Sequence, residues 1–169
     1  MSRQHPIIAV TGSSGAGTTT VMQSFQHIFR REGLAAQIVE GDSFHRFDRA
    51  EMRARMKEAE AGGNKHYSHF GPYSNLLEEL EALFRGYGAS GRGRVRKYVH
   101  DDREAAEHGV APGCFTDWQD IEPGSDLMFY EGLHGAYVDD RIDIAGQVDL
   151  LVGVVPIINP VWIQKLHRD

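Results

Sequence analysis

The sequence has one cysteine, Cys114, in 169 residues. A lone thiol excludes an internal disulfide, a cysteine-rich zinc site and an intramolecular redox switch. Long hydrophobic runs are missing too. The longest, residues 150–158, is broken by Gly153 and Pro156 and falls short of the roughly 20 apolar residues of a membrane helix. There is no excess of positive charge: 18 Lys and Arg against 24 Asp and Glu leave −6. Nucleic-acid-binding surfaces draw most of their affinity from Lys and Arg at phosphates, so this balance argues against one. Any phosphate site must be local, and basic residues do gather at Arg46 and Arg49 and at Arg92, Arg94, Arg96 and Lys97. Residues 1–6 lack the charged start, apolar middle and small-residue cleavage site of a signal peptide. The expectation is a cytoplasmic protein.

What remains is an ordinary globular composition, 41% hydrophobic, on a chain long enough for one domain with its own core. Residues 6–11 form a β-branched run ending at glycine, which predicts a buried strand. A glycine-rich turn follows at residues 12–17. From Thr19 the apolar residues Val21, Met22, Phe25, Ile28 and Phe29 recur at helical spacing up to a stop at Gly33. Residues 36–40 predict a second strand. Strand, glycine turn, helix, strand is the βαβ unit of a parallel α/β sheet.

Asp48 with Glu51 reads as a capping box for a helix over 50–61. Asn75 with Glu78 reads as the cap pair of a helix over 75–87, ended by Gly88. Residues 65–74 read as irregular, 91–100 as a polar turn entering a short strand, and 101–116 as an excursion. Two compact apolar runs, 127–130 and 150–155, read as central strands of the sheet. A last helix is expected after Pro160. The chain shows no repeat, linker or low-complexity tract, so residues 1–169 are expected to form a single domain. Its charged, mid-helix ending predicts a chain that continues, leaving the domain incomplete at the C-terminus.

The chemistry is concentrated in the turn. Gly12, Ser13, Ser14, Gly15, Ala16, Gly17, Thr18 and Thr19 match G-x-x-x-x-G-K-[ST] except that Thr18 stands at the lysine. Glycines let the backbone wrap phosphate oxygens, and the N–H groups opening the next helix point at the anion. Thr19 takes the position whose hydroxyl ligates Mg²⁺, and Thr20 follows it into the helix. The missing lysine charge has to come from elsewhere. The turn is one residue short of the TGxxxGxG of short-chain dehydrogenases, and no tyrosine has a lysine four positions on. Its glycine order is also not that of a G-x-G-x-x-G dinucleotide site.

Phosphoryl transfer to an alcohol needs metal ligands, cations on the moving group and a carboxylate to take the hydroxyl proton. Open α/β sheets place such groups at the carboxyl ends of strands. Two acids fall there. Glu131 ends the run 127–130 in the Walker-B position, which suits the metal. Asp42, one strand away and beside candidate cations, suits the general base.

Together these segments resemble the phosphoribulokinases of the bacterial type: the threonine-bearing phosphate loop, Glu40-Gly41-Asp42 with Phe44-His45-Arg46, Tyr98-Val99-His100-Asp101-Asp102, the stretch 129–135, and Trp162 through Asp169. The resemblance implies an adenylate-kinase-like fold of the P-loop NTPase type, a parallel or mixed sheet flanked by helices. It implies the transfer of a phosphoryl group from ATP, with Mg²⁺, to ribulose 5-phosphate, the step that makes the CO₂ acceptor of the Calvin cycle. In that family Asp42 matches the catalytic base and Glu131 the acid serving the Mg-nucleotide. His45, Arg49 and His100 match substrate-binding positions. Lys165 and Arg168 match cations at the transferring phosphoryl, with Lys165 a substitute for the charge missing at Thr18, and Asp169 matches a second catalytic acid. The resemblance also implies a longer chain and a homo-oligomer that responds to nucleotide effectors. The cysteine-pair switch of the plant-type enzymes is excluded within this segment.

Two alternatives stay open at this point. One is a uridine-kinase-like nucleoside kinase or another small-molecule P-loop kinase. The other is a catalytically silent nucleotide-binding module. His167-Arg168-Asp169 also spells a protein-kinase tripeptide, but the glycine-rich hairpin and DFG segment that must accompany it are absent.

Overall fold

The chain is described here by a computed structural model covering residues 4–13 and 15–155. Ser14, the predicted last helix, and with it Lys165, Arg168 and Asp169, lie outside the described residues.

Strand β1 (Ile7–Gly12) is followed by helix α1 (Thr18–Glu32) and strand β2 (Ala36–Glu40). Helices α2 (Arg49–Ala61) and α3 (Leu77–Ser90), strand β3 (Arg94–Val95), helix α4 (Asp102–His108) and strands β4 (Gln119–Asp120), β5 (Leu127–Gly132) and β6 (Leu150–Val154) complete the order. Four strands pair in parallel as β2-β5-β1-β6, and β3 with β4 makes a separate antiparallel ribbon. The parallel sheet flanked by helices is the α/β architecture the sequence predicts.

Alternation along the two inner strands decides which helix lies on which face. Val10, Leu127 and Phe129 pack with Val21, Met22, Phe25 and Phe29 of α1. Ile7, Ala9, Met128 and Tyr130 pack with Leu80, Leu83, Phe84 and Tyr87 of α3. Rings carry much of both contacts: Phe25 and Phe129 have centroids 5.1 Å apart on one face, Phe84 and Tyr130 5.3 Å on the other. Truncating a buried ring of this kind costs about 3–5 kcal/mol.

Helix α2 begins as predicted, with both halves of the Asp48–Glu51 capping box formed. Helix α3 does not. Its N-cap is Leu76, with no side-chain cap bond, because the Asn75 side chain is used elsewhere (below). Nor does Gly88 end it: α3 runs on to Ser90 and turns at Gly91, φ 68°. Tyr87 is fully buried and its hydroxyl bonds Ser125 at 2.8 Å. That anchorage outweighs the roughly 1 kcal/mol a helical glycine costs. The excursion at 101–116 contains α4, capped by Asp101, which accepts from the amides of Arg103 and Glu104. Strand β5 is central as expected. Strand β6 is the edge of the sheet among the described residues, with Leu150 and Leu151 47% and 43% exposed.

One contact sets the spacing at the top of the sheet. The Tyr130 side chain is wholly buried, and its hydroxyl, near the His134 backbone, has no hydrogen-bond partner of good geometry among the described residues. Burial drives its pKa far above the usual tyrosine value. The hydroxyl lies against Gly41 and Gly132: a Cβ on either would stand 2.7 or 2.6 Å from it, and 2.9 or 2.8 Å from the other glycine's Cα. No residue but glycine allows the ends of β2 and β5 to come this close over the ring. Removing an unpaired buried hydroxyl forfeits no bond, so Tyr130→Phe should leave the urea midpoint unchanged or raise it. Gly41→Ala should lower stability by about 1–3 kcal/mol through overpacking, read in the same titration.

Candidate active site at the carboxyl ends of the strands

A cavity of about 880 Å³ opens at the carboxyl ends of β1, β2 and β5, the place where open α/β sheets bind ligands. One wall is the glycine turn. Gly15 and Gly17 have φ of 82° and 95°, left-handed values that only glycine adopts freely. Helix α1 starts from Gly17 with no side-chain cap and no acid in its first turn. Its opening N–H groups therefore keep their capacity for an external anion, and the helix dipole favours one. Gly12, Ser13, Gly15, Thr18 and Thr19 line the cavity. Ala16 is buried, and Thr20 lies outside the lining.

The acids stand opposite. Glu131 is the next-to-last residue of β5, with the Thr18 hydroxyl beside its carboxyl. Burial pushes its carboxyl up; the Thr18 bond opposes this, and the charges of Asp42 and Glu40 add to it. Asp42 sits in the single turn Gly41–Phe44 that follows β2. Its Oδ1 lies 3.3 Å from His45 Nε2 and its Oδ2 3.8 Å from His100 Nε2. Burial pushes Asp42 up, but the His45 hydrogen bond and charge, with His100 and His69, outweigh it and hold the carboxyl below its usual range. Burial pulls His45 down, and the bond and charge of Asp42, with Asn75, more than restore it, so its pKa is raised. Glu40 is taken by Lys97, whose ammonium bonds both carboxylate oxygens at 3.0 and 2.9 Å.

The Asp42 turn is held from behind by Arg96. Its Nε donates to the Ser43 carbonyl at 2.8 Å and its Nη2 to the His45 carbonyl at 2.6 Å. The guanidinium lies over the rings of Phe115 and Trp118 at 3.7 and 4.8 Å. Two members of the basic cluster at 92–97 thus serve the site's framework: Arg96 fixes backbone and Lys97 pairs with Glu40.

A second cavity, about 510 Å³, shares Asp42, His45, Arg49 and His100 with the first. Arg49 donates to the Tyr98 hydroxyl at 3.3 Å and the His100 carbonyl at 3.0 Å. Arg53, one turn on along α2, lines this cavity as well. Sequence reasoning missed Arg53, although its i,i+4 spacing from Arg49 puts the two on one helix face. His134, also unforeseen, lines the first cavity with its Nε2 3.1 Å from the Phe70 carbonyl, to which it must donate. The structure thus brings Gly12, Ser13, Gly15, Thr18, Thr19, Asp42, His45, Arg49, His100 and Glu131 around one space.

The sequence profile described as "Phosphoribulokinase / Uridine kinase family" matches residues 7–169. The chain is 62% identical over its whole length to a phosphoribulokinase of Nitrobacter vulgaris and 60% identical to one of Cereibacter sphaeroides. It spans 58% of the length of each of these relatives. Among solved structures it superimposes on the phosphoribulokinase from Rhodobacter spheroides with a TM-score of 0.87 at 54% identity, covering 99% of this chain and 57% of that one. A possible uridine kinase from Bacillus stearothermophilus shares the fold, with a TM-score of 0.61 at 18% identity over 99% of this chain and 82% of that one.

The Asp42–His45 pair carries a pH signature. Asp42, with its pKa lowered, contributes stability above the ordinary carboxylate range, lost as pH falls through its depressed folded value. His45, with its pKa raised, contributes stability below the ordinary imidazole range, lost as pH rises through its elevated folded value. The stability advantage of the unmodified chain over His45→Gln should be greatest between those limits and shrink at both ends, measured as urea midpoints from acid to alkaline pH. Asp42 is 54% exposed, so solvent screening keeps the effect small.

Proposed function

This chain belongs to the phosphoribulokinase / uridine kinase family, and from that premise we propose that the protein it represents transfers a phosphoryl group from ATP to ribulose 5-phosphate, giving ribulose 1,5-bisphosphate. One observation carries the reading: the phosphate loop, Asp42 and Glu131 wall a single cavity that meets a second, arginine-lined cavity at Asp42. The relatives named phosphoribulokinase support the choice of acceptor. We take residues 1–169 as one kinase unit of a longer, cytoplasmic, homo-oligomeric enzyme; no helix among the described residues is long and apolar enough to cross a membrane.

In this reading the loop from Gly12 to Thr20 binds the nucleotide phosphates with its backbone N–H groups. Arg49 and Arg53, with His45 and His100, hold the phosphate of the acceptor, which places a sugar hydroxyl at Asp42. Asp42 takes the hydroxyl proton as the oxygen forms its bond to the γ-phosphorus, the bond to the β-bridging oxygen breaks, and ADP leaves. The family resemblance assigns Lys165 and Arg168, outside the described residues, the charge on the transferring phosphoryl, and Asp169 the part of a second acid.

The donor set suits Mg²⁺. This ion is held by one or two carboxylates together with substrate phosphates rather than by a cage of protein ligands. Among the described residues no group of three or more His, Cys, Asp and Glu forms such a cage. Glu131, raised by burial and by neighbouring acids, gains from a cation. Glu131 and the Thr19 hydroxyl would hold the ion, which when bound neutralises charge on the nucleotide phosphates.

Asp42→Asn should cut turnover at least about a hundredfold while ATP binding survives, measured by product formation beside calorimetric titration. Equal loss of both would make Asp42 structural. Glu131→Ala should raise the Mg²⁺ concentration needed for half-maximal rate. Acceptors offered with labelled ATP decide the substrate: faster labelling of uridine than of ribulose 5-phosphate overturns the assignment, and tight ATP binding without any product marks a silent binding module.

A further inference from the structure

Asn75 is only 1% exposed, and its side chain serves neither the cap of α3 nor the proposed reaction directly. Its amide nitrogen donates to the His69 carbonyl at 2.9 Å and to the Gly71 carbonyl at 2.7 Å. Both amide hydrogens are therefore taken, and the orientation of the group is fixed: the flipped amide would set its oxygen against two carbonyls. Oδ1 is then the atom 2.8 Å from His45 Nδ1. An amide oxygen only accepts, so Nδ1 must carry a hydrogen. Nε2, the nitrogen 3.3 Å from Asp42 Oδ1, is left as the one that gains and loses a proton.

The backbone secures the same contact. Asn75 pairs with His45 in an antiparallel bridge, and its carbonyl accepts from Arg46 Nη2 at 3.1 Å. The other groups facing His45 give its ring no competing acceptor at Nδ1. Arg96 donates to its carbonyl. The rings of His69 and Tyr98 stand edge-on at 6.1 and 5.9 Å. His100 reaches Asp42, and His134 acts only through its charge.

We propose that Asn75 is a positioning residue that holds His45 in the Nδ1–H tautomer, so that Nε2 always faces the Asp42 carboxylate. The catalytic meaning of this arrangement rests on the reading of Asp42 as the base; the tautomer itself does not. A ring free to choose would sometimes present Nδ1 without its hydrogen to Asn75 and hold its only proton toward Asp42, changing which protonation states the pair can adopt.

The ¹⁵N chemical shifts of the His45 ring in the full chain test this directly. Above its titration the neutral ring should keep its proton on Nδ1; a neutral ring protonated on Nε2 overturns the proposal. Two variants give a signed test. Asn75→Ala removes the acceptor and should lower the His45 titration midpoint. Asn75→Asp keeps an acceptor, adds a charge, and should raise it, each by at least about half a pH unit. Both variants lose the donors to His69 and Gly71, so mere loosening would move them the same way, and shifts of one sign overturn the proposal. Should neither variant fold, the tautomer of the unsubstituted chain still decides. Opposite shifts in a full-length protein that never phosphorylates ribulose 5-phosphate would uphold the tautomer and remove the kinase reading.

Discussion

The parallel register of three strands governs everything at this site. Thr11 pairs with Gly132 and Glu40 with Glu131, so β1, β2 and β5 end almost flush. The phosphate loop, the Asp42 turn and Glu131 then issue from neighbouring points with no further device. Flush ends also create a difficulty, because Glu40, Asp42 and Glu131 crowd acids of one sign into one place. Each acid has its own answer. Glu40 is neutralised outright by Lys97, Asp42 is matched by His45 and His100, and Glu131 has the Thr18 hydroxyl beside it to favour its charged form. Among the described residues Glu131 alone of the three has no ion-pair partner, and it is the one placed beside the phosphate loop.

This distribution gives a reason for the threonine that interrupts the phosphate-loop signature. A lysine at position 18 would stand where Thr18 now reaches Glu131, and its ammonium would take that carboxylate as a counter-ion. Threonine is neutral, and among the described residues no lysine or arginine pairs with Glu131. The positive charge that phosphoryl transfer needs must then come from another element, consistent with the proposed roles of Lys165 and Arg168.

Where local chemistry decides structure, the sequence was legible: the strand–turn–helix around Gly12–Thr19, the Asp48–Glu51 capping box, and the acids closing β2 and β5. It failed where a side chain answers to a distant partner. Asn75 has the spacing of a helix cap with Glu78, but its amide is spent on His45, His69 and Gly71, contacts that depend on how the 65–74 loop folds back. Arg96 and Lys97 read as part of a basic cluster suited to a local phosphate site, yet one fixes the Asp42 turn and the other pairs with Glu40. The acceptor-side cavity was half visible. Arg49 came through resemblance, whereas Arg53 needed only the helical spacing of α2, which had been predicted. Strand β6 shows the converse: its apolar run predicted a central strand, and its face is half-exposed among the described residues.

A base whose pKa is held below the ordinary carboxylate range is a weak base, so the state of Asp42 in the chain alone stands in apparent conflict with the role proposed for it. The causes of the shift resolve the conflict. Burial, the largest influence on Asp42, favours the protonated form and is overcome by the His45 hydrogen bond and by histidine charge. Anionic ligands in the two cavities would sit against the same histidines and add negative charge near the carboxylate. That negative charge raises the proton affinity of Asp42 when acceptor and nucleotide are bound. A lysine or arginine in place of His45 would hold its charge regardless and keep Asp42 a poor base throughout. Histidine, oriented by a fixed amide, gives the carboxylate a partner whose charge can answer to what else is in the site.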